Sequence, residues 1–248
     1  MRVFLVFTIL MFAVSLEASE EIVRRFLIDL EGAKVWNSSN TVAIPGDTGT
    51  RFSLSDTLDV KSKLVFRVNL AYRIATRHTI SFLYAPLTLK ASGALPSDIL
   101  FNANSFSAGD NVNGTYKFNS YRLTYAYTWV DKEKVRFKIG FTAKIRDAKI
   151  AIADTNIVSA KSNVGFVPLV HLDLLWRITE RFHFQTVLDA MAAPQGRAED
   201  WFLGFLYQFS PMFSCKLGYR MVEGGANVKE VYNFAWLHYL STGIILEF

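Results

Sequence analysis

The sequence predicts an all-β fold, a ten-stranded antiparallel up-and-down β-barrel that spans a membrane. Three observations carry that prediction. From 121 to 129 every alternate residue (Tyr121, Leu123, Tyr125, Tyr127, Trp129) is aromatic or leucine, with Arg122, Thr124, Ala126 and Thr128 between them. The same two-residue alternation recurs along most of the chain, which puts apolar side chains on one strand face and polar ones on the other. Beyond the N-terminus no apolar run approaches the roughly 20 residues of a membrane helix, so the 51% hydrophobic content is spread through strands. A barrel with oily side chains toward lipid and polar ones toward a lumen produces this pattern.

The elements follow in order. A first strand over 24–35 sets Phe26, Ile28 and Leu30 against Asp29 and Glu31, and a Ser/Asn/Gly/Thr-rich loop over 37–50 follows. Residues 51–74 form one long strand or two pieces, with Leu64, Phe66, Val68, Leu70, Tyr72 and Ile74 outward and Arg67, Asn69 and Arg73 inward. After a tight connection at 75–77, the third strand (78–90) shows Ile80, Phe82 and Tyr84 on one parity and Leu87 and Leu89 on the other. A bulge is expected at Pro86, which has no N–H for the ladder.

A loop over 91–114 carries an apolar patch, Ile99, Leu100, Phe101 and Phe106, suited to folding over the barrel mouth. The strand through 121–129 comes next, then a turn at 131–134. Strand five places Val135, Phe137, Ile139, Phe141 and Ile145 outward and Arg136, Lys138, Thr142, Lys144 and Arg146 inward. A loop over 147–162 leads to a strand ending at 178, a turn at 179–181 and a strand over 182–191. A loop at 194–200, a strand over 201–209 and a turn at 210–212 follow. The last two strands end near 222 and at 248, joined by a loop over 223–233. Short turns thus share one side with both termini, and longer loops occupy the other. Tyr72, Trp129, Trp176, Phe182, Phe213 and Phe248, near the short turns, suit an interfacial girdle.

Residues 1–19 have the form of a secretory signal peptide: Met1-Arg2, an apolar run from Val3 to Leu16, then a polar stretch, with cleavage near Ala18 or Ser19. The barrel is assigned to 20–248. Cys215 is the sole cysteine, which excludes an internal disulfide or a thiolate metal motif. The net charge of +5 and pI near 9.2 do not imply nucleic acid, because many Lys and Arg fall on inward strand positions. No cofactor or metal is expected, since no phosphate-binding glycine loop or His/Cys cluster appears.

In the last strand His238, Leu240, Thr242, Ile244, Leu246 and Phe248 alternate with Tyr239, Ser241, Gly243, Ile245 and Glu247, and the sequence stops on phenylalanine. This resembles the C-terminal signal by which bacterial outer-membrane barrels reach their insertion machinery. The resemblance implies the outer membrane of a Gram-negative envelope, with Phe248 in the insertion signal and outer-membrane lipid and lipopolysaccharide as surroundings. A monomer is expected.

Three constellations are candidate sites. The lumen-facing cluster comprises Arg67, Arg122, Lys138, Lys144, Arg146, Arg177, Lys216 and Arg220 with Asp29 and Glu31; Arg73, Arg136, Asp173, Asp189 and Glu247 share its parity. Charges enclosed in a narrow barrel need partners or water, and a cationic surplus suits an anion.

The second is His171 with Asp173 and Asp189. His171 and Asp173 share a strand face, and pairing across the turn at 179–181 brings Asp189 opposite His171. A carboxylate-held His is half of a hydrolytic apparatus; no nucleophile is identifiable. Omptin proteases, also ten-stranded, use an Asp–His couple with a second aspartate pair. The present chain has the order His-Leu-Asp and lacks a second Asp-x-Asp. The third is an external rim of Arg197, Glu199, Asp200 and Glu223.

The expected function is a non-enzymatic envelope barrel, porin-like, that binds or passes a small, anionic solute through a narrow charged lumen. The alternative is a membrane-embedded hydrolase or lipid-modifying enzyme with its site at the external mouth.

Overall fold

The computed structural model describes residues 24–248, so the signal-peptide assignment at 1–19 lies outside the described residues. Ten long strands wind up and down: β1 (Phe26–Ala43), β2 (Lys63–Ala75), β3 (His78–Ala85, resumed over Thr88–Ala94), β4 (Asn111–Asp131) and β5 (Val135–Ala153) make the first half. β6 (Val158–Arg177), β7 (Phe182–Ala193), β8 (Gly196–Ser210), β9 (Phe213–Val228) and β10 (Val231–Glu247) make the second. Each pairs antiparallel with its chain neighbours, and β10 pairs with β1 from Leu27↔Glu247 onward, which closes the barrel. Closure removes the sheet edges that lipid cannot satisfy. The Phe248 carbonyl accepts from the Arg25 and Phe26 amides, so both ends of the barrel chain meet beside the short turns.

Side-chain direction follows the alternation. Leu123, Tyr125, Phe141, Phe66 and Leu217 are exposed on the outer wall, whereas Arg122, Thr124, Thr142 and Lys144 are buried inside. Trp129 and Trp176 sit exposed near the short-turn ends of β4 and β6, and Trp36, Trp201 and Trp236 stand exposed farther up β1, β8 and β10. Such aromatics bound an apolar band at both interfaces of an outer-membrane barrel.

The strands run well past the band. β5 and β6 continue to Ala153 and Val158, leaving only 154–157 between them, and the loops expected at 194–200 and 223–233 shrink to turns at 194–195 and 229–230. Likewise β1 continues to Ala43 across the predicted loop at 37–50. Beyond the band the inside becomes oily: Val35, Val42, Leu87, Leu89, Tyr116, Ile150, Ile152 and Leu237 form a buried cluster. A one-turn helix, α1 (Leu54–Thr57), contributes Leu54 to it, and a small hairpin (Ile99–Phe101 with Asn104–Phe106) contributes Ile99, Phe101 and Phe106. The predicted patch does fold into the mouth, except that Leu100 points to solvent. The middle of the barrel therefore buries charged and hydroxyl side chains and the external half apolar ones, while a smaller apolar cluster, Leu175, Leu206 and Ile245, lies inside the short-turn end.

That inversion corrects the bulge expected at Pro86. The pairs Ala85↔Ser120 and Thr88↔Lys117 lie on one unbroken register, so no residue is inserted. Pro86 merely interrupts the ladder, and the Leu87 amide donates to Asn119 Oδ1 at 3.1 Å. Leu87 and Leu89 keep the inward parity; what changes is the interior they meet.

Candidate functional site: an ionic layer and the chamber above it

At mid-barrel nearly every strand sends a charged or hydroxyl side chain to one network. Asp200 on β8 accepts from Arg67 Nη2 (3.0 Å), Arg122 Nη2 (2.7 Å) and Arg220 Nη1 (2.6 Å). Glu31 on β1 accepts from Arg220 (2.9 and 3.1 Å), Lys216 (2.8 Å) and the Ser241 hydroxyl (3.1 Å). Lys216 also donates to Asp29 at 2.7 Å, and Arg122 to Asp189 at 2.8 Å. Four cations (Arg67, Arg122, Lys216, Arg220) thus meet four carboxylates (Asp29, Glu31, Asp189, Asp200), and the layer is neutral. Such charges leave water only where geometry and hydrogen bonds compensate their desolvation.

The backbone makes room for the network. Gly204 and Gly218 are paired across β8 and β9, and a Cβ on either would strike the Phe202 ring. Phe202 fills that space, with Lys216 Nζ 5.3 Å and the Arg220 guanidinium carbon 5.0 Å from its ring centroid. A Cβ on Gly243 would fall 2.8 Å from Lys216 Cε, so that glycine admits the lysine stem.

The structure distributes the sequence candidates as follows. Arg67, Arg122, Lys216, Arg220, Asp29 and Glu31 come together in the layer. Lys138 lies below it, 3.6 Å from Asp173. Arg177 sits at the short-turn end, donating to the carbonyls of Lys132 and Glu133. Lys144 is on the rung directly opposite Arg122, with its side chain lining the cavity on the external side, and Arg146 is one inward position farther along β5. Asp200, assigned to the external rim, is instead buried at the centre of the layer, because 196–200 is strand rather than loop. Arg197 and Glu223 do pair at the external end (2.8 Å twice) on the neighbouring rungs that hold Glu199. Phe202, Ser241 and Asp200 are the layer members that the sequence reading missed.

His171 and Asp189 are directly opposite, as the turn at 179–181 requires, with Nδ1 and Oδ1 2.8 Å apart. The same carboxylate accepts from Thr142 Oγ1 (3.0 Å) and Arg122, so it is an anchor of the layer. Asp173 turns away to Lys138 and Gln185. Among the described residues no hydroxyl or thiol is hydrogen-bonded to His171, and the hydrolytic constellation is not assembled.

The layer separates two cavities that share no lining residue. The lower, about 320 Å³, runs from the layer toward the short turns and is lined by Asn69, Ser81, Lys138, His171, Asp173 and Gln185 among others. The upper, about 750 Å³, lies on the β5–β9 side of the external half and mixes apolar walls (Tyr116, Phe118, Ile150, Val167) with Lys144 and Arg146. Lys144 is buried, and its Nζ sits 4.7 Å from the Phe118 ring centroid. Among the described residues neither Lys144 nor Arg146 has a carboxylate within 4.0 Å; Arg146 donates to Asn163 Oδ1 at 2.6 Å.

Lys144 and Arg146 therefore line the cavity on the external side of the layer, Arg136 and Lys138 line the one below it, and the apolar band faces outward. The chain is a membrane-spanning barrel of the outer-membrane type.

No protein-family profile matches the chain, and no curated relative matches it. Solved structures similar to it are outer-membrane proteins. The translocator domain of the autotransporter NalP from Neisseria meningitidis is 9% identical, with TM-score 0.48 and coverage of 99% of this chain and 95% of that one. An outer-membrane channel from Pseudomonas putida is 11% identical (TM-score 0.49, covering 95% and 100%). Ail, the attachment invasion locus protein of Yersinia pestis, is 9% identical (TM-score 0.39, covering 90% and 99%). At this distance the likenesses carry no functional argument.

Proposed function

We propose that this chain is a non-enzymatic barrel of the bacterial outer membrane that binds a small anion with an apolar portion in its external chamber. The observation behind this reading is the pair Lys144, buried, and Arg146, half-buried: cations with no carboxylate within 4.0 Å among the described residues, both lining an oily cavity. A buried ammonium group normally has a partner, and an anionic ligand supplies one. Passage straight along the axis, expected from the sequence, is disfavoured by the neutral ionic layer beneath. We further infer that lipopolysaccharide and outer-membrane lipid surround the band and that Phe248 serves in delivery to the insertion machinery.

The test is calorimetric titration of decanoate into the barrel in a non-ionic detergent. Binding is expected, and Lys144→Met with Arg146→Met should weaken it at least about tenfold, equivalent to roughly 1.4 kcal/mol. Unchanged affinity in the double variant would refute the assignment.

A further inference from the structure

Strand pairing in the barrel wall lapses between β2 and β3 beyond Val68↔Tyr84, where only a small cavity of about 10 Å³ remains, and again, beside the large upper cavity, between β6 and β7. The β6–β7 pairing runs from Arg177↔His183 to Val170↔Ala190 and stops, although β6 continues to Val158 and β7 to Ala193. The second missing rung would set Pro168 against Ala192, and proline brings no N–H to a ladder. β7 then turns back at 194–195 while β6 rises on, paired only with β5. The hairpin closes the tip of that free edge: Asn102 Nδ2 donates to the Ala160 carbonyl and Asn104 Nδ2 to Ser159 Oγ. Between 161 and 169 the edge stays without a strand partner among the described residues.

The upper cavity reaches through this gap. Its lining joins Lys144 and Arg146, which face inward, with Phe166 and Pro168, which face outward and are exposed. Val167 bounds it on the β6 side, and Met191 and Ala193 on the β7 side. The height of the gap is fixed by register. Pro168 is paired with Ala143 and Phe166 with Ile145, still in the apolar band; the next outward residue on β5, Asp147, leaves it. An unpaired strand edge is tolerated at membrane depth only where it lines a cavity.

We infer that this gap is a side opening between β6 and β7 through which a single-chain acyl anion passes from the external leaflet into the chamber, its headgroup ending on Lys144 and Arg146. The inference rests on the chamber reading above and deepens it by naming the ligand class and its route. The opening's apolar margin, Phe166, Pro168 and Met191, suits a hydrocarbon chain, and the cations lie at the inner end. A volume of about 750 Å³ falls within the roughly 300–1,000 Å³ of ligand pockets.

The test locks the gap in proteoliposomes. Val167→Cys with Ala193→Cys, in a Cys215→Ser background, places thiols on opposite sides where the next-but-two rung would be. They are oxidised or bridged with a short bis-maleimide. Ala193→Trp fills the same space without needing a bond to form. Two photoreactive probes are used: a palmitate diazirine supplied within the bilayer and a hexanoate diazirine supplied in the water, with labelling read on the β5 peptide carrying Lys144.

The locked and filled barrels should be labelled by the palmitate probe about tenfold more slowly than the open one, with hexanoate labelling unchanged, and reduction should restore the rate of the disulfide form. Equal palmitate rates in open, locked and filled barrels would overturn the side opening and leave the chamber reading standing. Absence of labelling by either probe in the open barrel would overturn both.

Discussion

Arg122 Nη2 on β4 and Asp200 Oδ2 on β8 lie 2.7 Å apart across the barrel interior, both side chains almost wholly buried. No neighbouring-strand relation brings these residues together; only the closed cylinder does. Their contact is thus a direct consequence of barrel closure, and it ties the two halves of the wall through its centre.

Asp200→Ala is expected to destabilise the barrel by about 3–5 kcal/mol, because Arg67, Arg122 and Arg220 all lose a buried carboxylate. Replacing Arg122 and Asp200 together by alanine should cost less than the sum of the single changes. Urea unfolding of the barrel in lipid vesicles measures both. An Asp200→Ala effect under about 0.5 kcal/mol, the level of ordinary surface substitutions, would contradict the placement.

The outward assignment of Phe141 predicts a position-dependent response. Phe141 is the middle of the outward apolar series of β5, so Phe141→Arg should cost about 2–4 kcal/mol in a bilayer. Phe141→Leu should be nearly neutral. The same unfolding measurement decides, and a tolerated arginine would place that face away from lipid.

The external half buries apolar side chains like a water-soluble protein, so a large-to-small change there should behave as a core mutation. Phe101 is completely buried beneath the mouth hairpin. Phe101→Ala should destabilise by about 3–5 kcal/mol and expose the hairpin to limited proteolysis in intact vesicles. Unchanged protection would mean that the hairpin is held by other contacts.

Gly218 tests the construction of the layer. A side chain there meets the Leu203 carbonyl at 2.5 Å and the Phe202 ring at 2.6 Å. Gly218→Val should therefore impair folding yield in lipid, whereas Gly32→Val, at a site with open space around it, should not. Equal yields would show that the layer tolerates displacement of Phe202.

Much of this was legible in the residues. The parity of β4 and β5 alone oriented Leu123, Tyr125, Arg122 and Lys144, because a period of two leaves no other choice in a strand that spans lipid. The opposition of His171 and Asp189 followed from one turn. What was hidden lay outside the band. Ile150 and Ile152 alternate with Lys149 and Ala151 inside a supposed loop, a strand signal masked by charged neighbours. Polar composition over 194–200 likewise concealed that β8 begins at Gly196, and with it the burial of Asp200. Long-range assembly, such as three arginines converging on Asp200, has no local signature. The stop in pairing near Pro168 was marked in the sequence only by the proline itself.

The central claim is that a neutral layer of ion pairs closes the lumen and divides the chamber that holds Lys144 and Arg146 from the cavity below. Planar-bilayer recording of the purified wild-type barrel tests it most directly. No resolved conductance steps are expected from the wild type, and steps should appear when Arg122→Ala and Asp200→Ala are combined. Sustained anion-selective steps from the wild-type barrel would contradict the closed layer.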